Sequence, residues 1–438
     1  MSQRHESRRD VNRHVSRRGF LAGFGALGIA STLGACATST SPRPAAGGAS
    51  STGLVLKSRE SSDNARKGMQ ALLDEFAKRH PQYTTTLNTM EAAAFQQQIR
   101  ADLTLSTPPD VLTWFAGEIA SDFAQQGLLL DVTSVFPAQG YSEQFAKLST
   151  DATGKKIFIP TVYYWWGVFY RKSFFDKWGV AEPKTWDEFI ALCKTLQGKG
   201  VSPLALPLAD AAWLTASWFD YLNLRINGAD FHRALLAGQE AYTDARVTKV
   251  LDTWKEVLPY FDPDSKGLAS TEGYAKWQQG KDAMFLCGPF LADAMPADVK
   301  DDISFFQFPI VDPAVPVAEE APLDGFIASA HTANPEGAKA FLGFVATPEA
   351  QELYLKISGN ALLPANSGAK SPISTPLLEK GRAMVAGAAD VTQFFNRDTN
   401  DDQLNALTTA LVRFIDEPDN GAEIQKQWQS DSAKARGN

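Results

Sequence analysis

Apolar residues at Met69, Leu72, Leu73 and Phe76 recur at helical spacing, and the pattern ends at His80-Pro81. Leu54-Val55-Leu56 before it and the threonine-rich Tyr83 to Leu87 after it read as strands. Phe95 to Leu105 is helical, Pro108-Pro109 breaks it, and Val111 to Trp114 is the next strand. Further on, Thr185-Trp186-Asp187-Glu188 is a capping-box pattern opening a helix through Leu192 and Leu196 to Gly198. Val201 to Leu208 and Ala283 to Cys287 read as strands. Val247 to Leu258, Pro335 to Ala346, Pro348 to Ile357 and the tail from Thr399 read as helices. Strands alternating with helices predict an α/β fold with mainly parallel sheets. Ligands of such sheets bind beyond the carboxyl ends of the strands. The loops to search are therefore 57–63, 114–118 and 160–166.

The N-terminus carries a different pattern. Six arginines within residues 1–18 precede 17 uncharged residues, Gly19 to Ala35, and then Cys36. A basic head before a short apolar stretch reads as an export signal, too short and too glycine-rich to span a bilayer. Ser16-Arg17-Arg18-Gly19-Phe20-Leu21 resembles a twin-arginine signal, and Leu33-Gly34-Ala35-Cys36 a bacterial lipobox. The expectation is a twin-arginine lipoprotein signal over 1–35, lipidation at Cys36 and a flexible tether over 36–53, rich in Ala, Ser, Gly and Pro. No later segment has 18 consecutive apolar residues.

Composition narrows the function. The chain has 438 residues, with 42 Lys and Arg against 50 Asp and Glu, a formal charge of −8. That disfavours a nucleic-acid partner. Three cysteines make no disulfide framework, and five scattered histidines form no HxH or HExxH pair, so neither a metal nor another cofactor is expected. Cys193 and Cys287 read as buried thiols. There is no GxSxG elbow, so that nucleophile motif does not point to an enzyme.

An ordered set of segments carries a resemblance. These are Pro109-Asp110-Val111 running to Gly127-Leu128-Leu129, Gly154 to Pro160, Phe169-Tyr170-Arg171-Lys172-Ser173, Pro183 to Phe189, Gln279-Gly280-Lys281-Asp282-Ala283-Met284 with Gly288-Pro289-Phe290, and Asn334 to Phe341. Together they resemble the extracellular solute-binding proteins of carbohydrate ABC importers, the family 1 group that includes maltose-binding protein. The resemblance implies a two-lobed, periplasmic-binding-protein-like clamp with hinge crossovers near 160, 312 and 358. Lobe one would be 54–160 plus 312–357, and lobe two 161–311 plus 358–438. It also implies a monomeric, non-catalytic protein outside the cytoplasm, lipid-anchored at the outer face of the membrane or periplasmic. Its partners would be a carbohydrate and the permease of an ABC transporter.

The candidate binding residues suit a sugar, which presents apolar C–H faces for flat rings and hydroxyls for fixed acceptors. Trp114 follows a strand and matches a family position that lines the cleft. Of Tyr163, Tyr164, Trp165 and Trp166, alternation sends two to the cleft and two into packing. Tyr164 matches a family ligand position, with Tyr163 or Trp165 beside it. Trp213 lies in a loop after a strand. Phe290 stands where maltose-binding protein has a stacking tryptophan. Asp324-Gly325 precedes a lobe-one strand, the carboxylate to hold a hydroxyl and the glycine to allow close approach. Glu60 lies in a loop where the family often binds ligand. Phe394, Phe395 and Asp398 stand near a late cleft position of the family. Trp178, Trp186, Trp218, Trp254 and Trp277 read as core. The alternatives are an exported glycan hydrolase, which needs two carboxylates about 5–9.5 Å apart, and a binder of a non-sugar solute.

Overall fold

The structure, a computed structural model, describes residues 52–437. The signal over 1–35, Cys36 and nearly all of the tether lie outside the described residues. Among the described residues the strands in chain order are β1 (Gly53–Ser58), β2 (Thr84–Thr89), β3 (Val111–Phe115), β4 (Ile159–Tyr163), β5 (Gly167–Arg171), β6 (Ser202–Leu204), β7 (Asp282–Cys287), β8 (Ile303–Phe306), β9 (Ala318–Glu320), β10 (Leu323–Ala328), β11 (Leu363–Pro364) and β12 (Asp390–Thr392).

They form two main sheets, the centres of the two lobes. The first has six strands in the order β11-β4-β10-β3-β1-β2, and the second four in the order β6-β7-β5-β8. The chain leaves the first sheet after Tyr163 and enters the second at Gly167, returns between Phe306 and Leu323, and touches the first sheet last at Leu363–Pro364. That last pairing, with Tyr163 and Val162, places two residues of the stretch 358–438 on the edge of the first sheet rather than with lobe two. A short parallel pair, β12 with β9, lies beside the return passage.

The helices form where apolar periodicity meets a cap. The helix Asp63–Arg79 buries Met69, Leu72, Leu73 and Phe76, the expected face. The helix Trp186–Gly198 carries the full capping box of Thr185 and Glu188. Pro335–Val345 and Pro348–Ser358 begin with proline, whose missing N–H is no loss in a first turn. The strand expected over 201–208 is only β6 (Ser202–Leu204). The sequence pattern did not delimit Leu214–Leu236, the helix after it. It is buried on nearly every side and has no polar face to give a period, and Gly228 interrupts it at φ 82°. Trp186, Trp218, Trp254 and Trp277 are buried, as expected, and Trp178 is half-buried at the end of its helix. Cys193 and Cys287 are both buried and unpaired, with burial pushing both thiols up. No helix among the described residues is long and apolar enough to cross a membrane.

Candidate functional site

Sheet topology brings the candidate residues together. β1, β3 and β4 run the same way, so their carboxyl ends share one edge. β10 runs against them and starts at that edge, with Asp324 opposite Phe115 and Leu323 opposite Tyr163. A register shift against β4 falls between Asp324 and Gly325, a bulge of the kind that re-aims a side chain. Asp324 thus meets the residues that follow β1.

Asp324 is the centre of a charged cluster. Arg59 Nη2 reaches its carboxylate at 2.7 Å and Arg397 Nη1 at 2.5 Å. Burial alone would raise this carboxyl, but the two guanidiniums outweigh it and hold it below the usual range. Arg59 is fixed through its backbone N–H, which donates to Thr113 Oγ1. Its side chain lies 3.6 Å from Glu60, whose carboxyl burial pushes up against the pull of Arg59. Arg397 Nη2 also donates to the Tyr164 hydroxyl at 3.0 Å. Its guanidinium lies over the ring of Phe115 at 4.8 Å, and that of Arg59 over the same ring at 5.1 Å.

The second sheet supplies rings. β7 ends at Cys287 and is followed by Gly288-Pro289-Phe290; a Cβ at Gly288 would run into the Phe290 ring, so glycine lets that ring fold back. Gly167 pairs with Cys287, which brings Trp166 to the same edge. The loop after β6 ends at Trp213, where the helix Leu214–Leu236 begins. Phe290 meets Trp166 at 5.7 Å, Trp213 at 6.5 Å and Tyr164 at 6.4 Å. Phe394, from the loop after β12, stacks on Trp166 at 4.6 Å. Tyr164, Trp213 and Phe290 each keep part of their surface exposed, while Trp166 and Phe394 are buried beneath them.

Of the expected residues, Glu60, Tyr164, Trp213, Phe290 and Asp324 therefore converge. Tyr163 and Trp165 do not: they project to the other side, Tyr163 edge-on to Phe145 and Trp165 against Phe305. The period of two that puts Tyr164 in the cluster removes its neighbours and brings in Trp166. Gly325 is needed for a different approach, since a Cβ there would collide with the Ile159 carbonyl of the adjacent strand. Trp114 is 2% exposed and packs with Phe95 and Phe123, away from Asp324. Phe115, one residue on, is the ring that meets the arginines.

The missed members are Arg59, Phe115, Trp166 and Arg397. Trp166 was legible from alternation with Tyr164. Arg59 and Arg397 adjoin the candidates Glu60 and Asp398. Asp398 reaches from the same loop to the N-terminus of the helix Glu118–Gln125, where it accepts the Glu118 N–H; burial nonetheless pushes its carboxyl up to about 7. Phe395 is buried and donates its N–H to Asp220. Beside the cluster a groove of about 650 Å³ opens between Trp114, Phe115 and Glu118 on one side and Asn396, Asn400 and Gln403 on the other.

The chain is 24% identical over 373 residues to the alpha-glucosides-binding periplasmic protein AglE of Rhizobium meliloti, covering 77% of this chain and 79% of that one. It is 26% identical over 288 residues to the osmoprotective compounds-binding protein GgtB of Synechocystis, covering 60% and 63%. Among solved structures it matches the bacterial solute receptor AcbH, described as having an exclusive substrate preference for β-D-galactopyranose, with a TM-score of 0.80 and 30% identity over 87% of this chain and 97% of that one. A chitin oligosaccharide binding protein shares the fold, with a TM-score of 0.75 and 22% identity over 88% of this chain and 99% of that one. Residues 61–352 match the family model of the bacterial extracellular solute-binding proteins, and the chain belongs to that family.

Proposed function

We propose that the protein captures a sugar or oligosaccharide between its two lobes and delivers it to the permease of an ABC importer. One observation carries the reading. Tyr164, Trp213 and Phe290 come from three distant segments, keep half-exposed faces, and adjoin a charged set in which two arginines meet Asp324 and Glu60. Flat faces beside fixed, mutually balanced polar groups suit a neutral ligand with apolar C–H faces and many hydroxyls. Asp324, tied by two guanidiniums, is a fixed acceptor rather than a free nucleophile or general acid, which favours binding over glycan hydrolysis. The names of the relatives point the same way.

The lobe division 54–160 plus 312–357 against 161–311 plus 358–438, corrected by the strand pairings that place 161–163 and 363–364 with the first sheet, belongs to this proposal, as does a hinge motion between lobes. So do export by the twin-arginine route, a lipid anchor at Cys36, a position outside the cytoplasm and a monomeric state. A thermal-shift screen of mono- and oligosaccharides tests the binding, because a ligand at 100 times its Kd adds about 2.7 kcal/mol of stability. Stabilisation by a sugar without turnover of aryl glycosides is the expected result. Turnover, or no stabilisation by any sugar together with stabilisation by an amino acid or polyamine, overturns it. Mass spectrometry of the exported protein tests the anchor: an unmodified N-terminus away from Cys36 refutes it.

A further inference from the structure

The segment 394–398 is anchored on the side of the second sheet and reaches across to the first. Phe394 stacks on Trp166, and Phe395 donates its N–H to Asp220 of the helix Leu214–Leu236. Beyond the segment, Asn400 caps the helix Asp401–Asp416, whose Phe414 stacks on Trp254. Between these anchors two residues leave for the other side. Arg397 pairs with Asp324, and Asp398 accepts the Glu118 N–H at the start of the helix Glu118–Gln125.

This contact is close, and open space flanks it. Gly117 stands at φ 129°, and a Cβ there would strike the Arg397 carbonyl and come within 2.6 Å of the Asp398 carboxylate. The groove of about 650 Å³ lies on one side of the contact, and a second of about 290 Å³ on the other. Both are walled by Glu118 and its neighbours on the first side and by Leu236 and Ala237 on the second. The segment is a bridge over a gap.

The group at the tip of the bridge carries a charge that docking disfavours. A helix N-terminus suits a carboxylate, but burial works the other way. Burial pushes Asp398 up to about 7, and Glu118 adds repulsion, against the pull of Arg233 and Arg397. Asp220 is near enough to be repelled by it, and Asp390 of β12 and Lys147 of the helix Glu143–Leu148 line the smaller groove with it.

We infer that 394–398 is the latch of the clamp: Asp398 docks on the turn Gly117-Glu118 as the lobes close and takes up a proton in docking, so that acid strengthens closure and the hold on a bound sugar. The inference rests on the proposed lobes and hinge and adds a regulation to them. The proton comes from solvent and returns to it on opening. Undocked, Asp398 faces water with an ordinary carboxyl, near 4. Closure therefore gains as pH falls from about 7 to about 4, by up to about tenfold per pH unit for one proton. Asp398 acts on the sugar through Arg397 and the lobe contact, as a positioning residue.

The test measures the distance between lobes by electron–electron resonance in the full chain. Spin labels go on Glu143→Cys and Gln239→Cys, both exposed and outside the lining of either groove. Cys36→Ala accompanies them, and Cys193 and Cys287 are buried. The ratio of short to long distances should rise at least about threefold from pH 7 to pH 5. Asp398→Asn keeps an acceptor for the Glu118 N–H without the charge. It should match or exceed the parent's short fraction at pH 7 and respond less to pH; Glu60, also pushed up by burial, remains in both proteins. Gly117→Ala should lower the short fraction at both pH values, and if it fails to fold, Asp398→Asn decides alone. A ratio that ignores pH, or one that responds as strongly in Asp398→Asn, overturns the latch. The same distances are read with D-galactose, maltose, xylobiose and chitobiose. A sugar that shortens them should do so at several-fold lower concentration at pH 5 than at pH 7. If none does, the sugar reading fails while the pH comparison still decides the latch. One distance under every condition overturns hinge and latch together.

Discussion

At the edge of the first sheet the site is made of charge. Arg59, Glu60 and Asp324 follow or precede its central strands, with the rings of Phe115 and Tyr164 beside them. At the edge of the second sheet it is made of rings: Trp166, Trp213 and Phe290. Charge needs an exact partner, and an arginine or carboxylate left alone in a half-buried site is costly. Rings contribute through area, so their loss is graded. Only the loop 394–398 shares both characters, with Phe394 stacked on Trp166 and Arg397 paired to Asp324. In the proposed binding mode the first edge would set the orientation of a ligand, and the second would supply its contact area.

The comparison is broken most severely at its centre. Asp324→Ala leaves Arg59 and Arg397 facing each other with no carboxylate between them. Removing one partner of a buried pair costs about 3–5 kcal/mol. The expected outcome is a large drop in melting temperature and loss of sugar binding in calorimetry. A variant with wild-type melting and affinity would show that the first edge is ornamental. Trp254→Ala is the contrast. Trp254 is buried against Phe414, far from either edge in role, and removing it should destabilise by about 3–5 kcal/mol while the folded fraction binds normally.

Rings come next. Trp213→Ala should weaken binding by about 1–3 kcal/mol, roughly 5- to 150-fold, with the fold intact. Affinity unchanged in a stable protein would remove the second edge from the site.

How far the sequence reached follows the same division. The rings were legible because aromatic residues at strand ends are local signals, and Tyr164, Trp213 and Phe290 all converge. The errors were of register. Trp114 for Phe115 and Trp165 for Trp166 are each one residue off and Tyr163 is three off Trp166, and an odd offset in a strand reverses the face. The charges were less legible. Arg59 and Arg397 share Asp324 and the Phe115 ring, and that meeting depends on β10 pairing antiparallel to β3 with Asp324 opposite Phe115. No local pattern states such a pairing. The strand and helix order was readable from periodicity, except for Leu214–Leu236, whose burial on all sides erases the period.

A second comparison, between carboxyls, bears on pH. Asp324 has arginines and is held low, whereas Asp220 and Glu320 are fully buried against each other with burial pushing both up, Asp220 to about 7. Other groups face them: His232 Nε2 stands 4.0 Å from Asp220, Asp398 adds repulsion, and Arg225 is engaged by Glu319. For an acid whose folded pKa is raised, stability is full below the unfolded value and declines as pH rises to the folded one. Asp220 therefore makes the protein lose stability from about pH 4 to about pH 7, with a slope of up to about 1.4 kcal/mol per pH unit for one proton. Asp324 acts oppositely, and its contribution is lost as pH falls below the ordinary carboxylate range. Denaturant midpoints measured from pH 5 to 7 should fall in the wild type and fall less steeply in Asp220→Asn, the slope that remains coming from Asp282 and Asp398, which burial also pushes up to about 7. An unchanged slope would locate the proton elsewhere.

The smallest expected effect concerns Phe290. Its ring is folded over Gly288, meets Tyr164, Trp166 and Trp213, and keeps part of one face exposed. Phe290→Trp enlarges a plate at an edge that works by area, at a position open on one side, so the added ring has somewhere to go. Phe290→Ala removes the plate and should cost about as much as Trp213→Ala, some 1–3 kcal/mol. The tryptophan variant should stay within about 1.4 kcal/mol, or tenfold, of wild type and shift preference among sugars more than affinity. Calorimetry against the sugars that stabilise the wild type measures both. If Phe290→Trp instead abolished binding while Phe290→Ala was tolerated, the ring would be a lid over filled space, and the contact area of the second edge would have to come from Trp213 and Tyr164 alone.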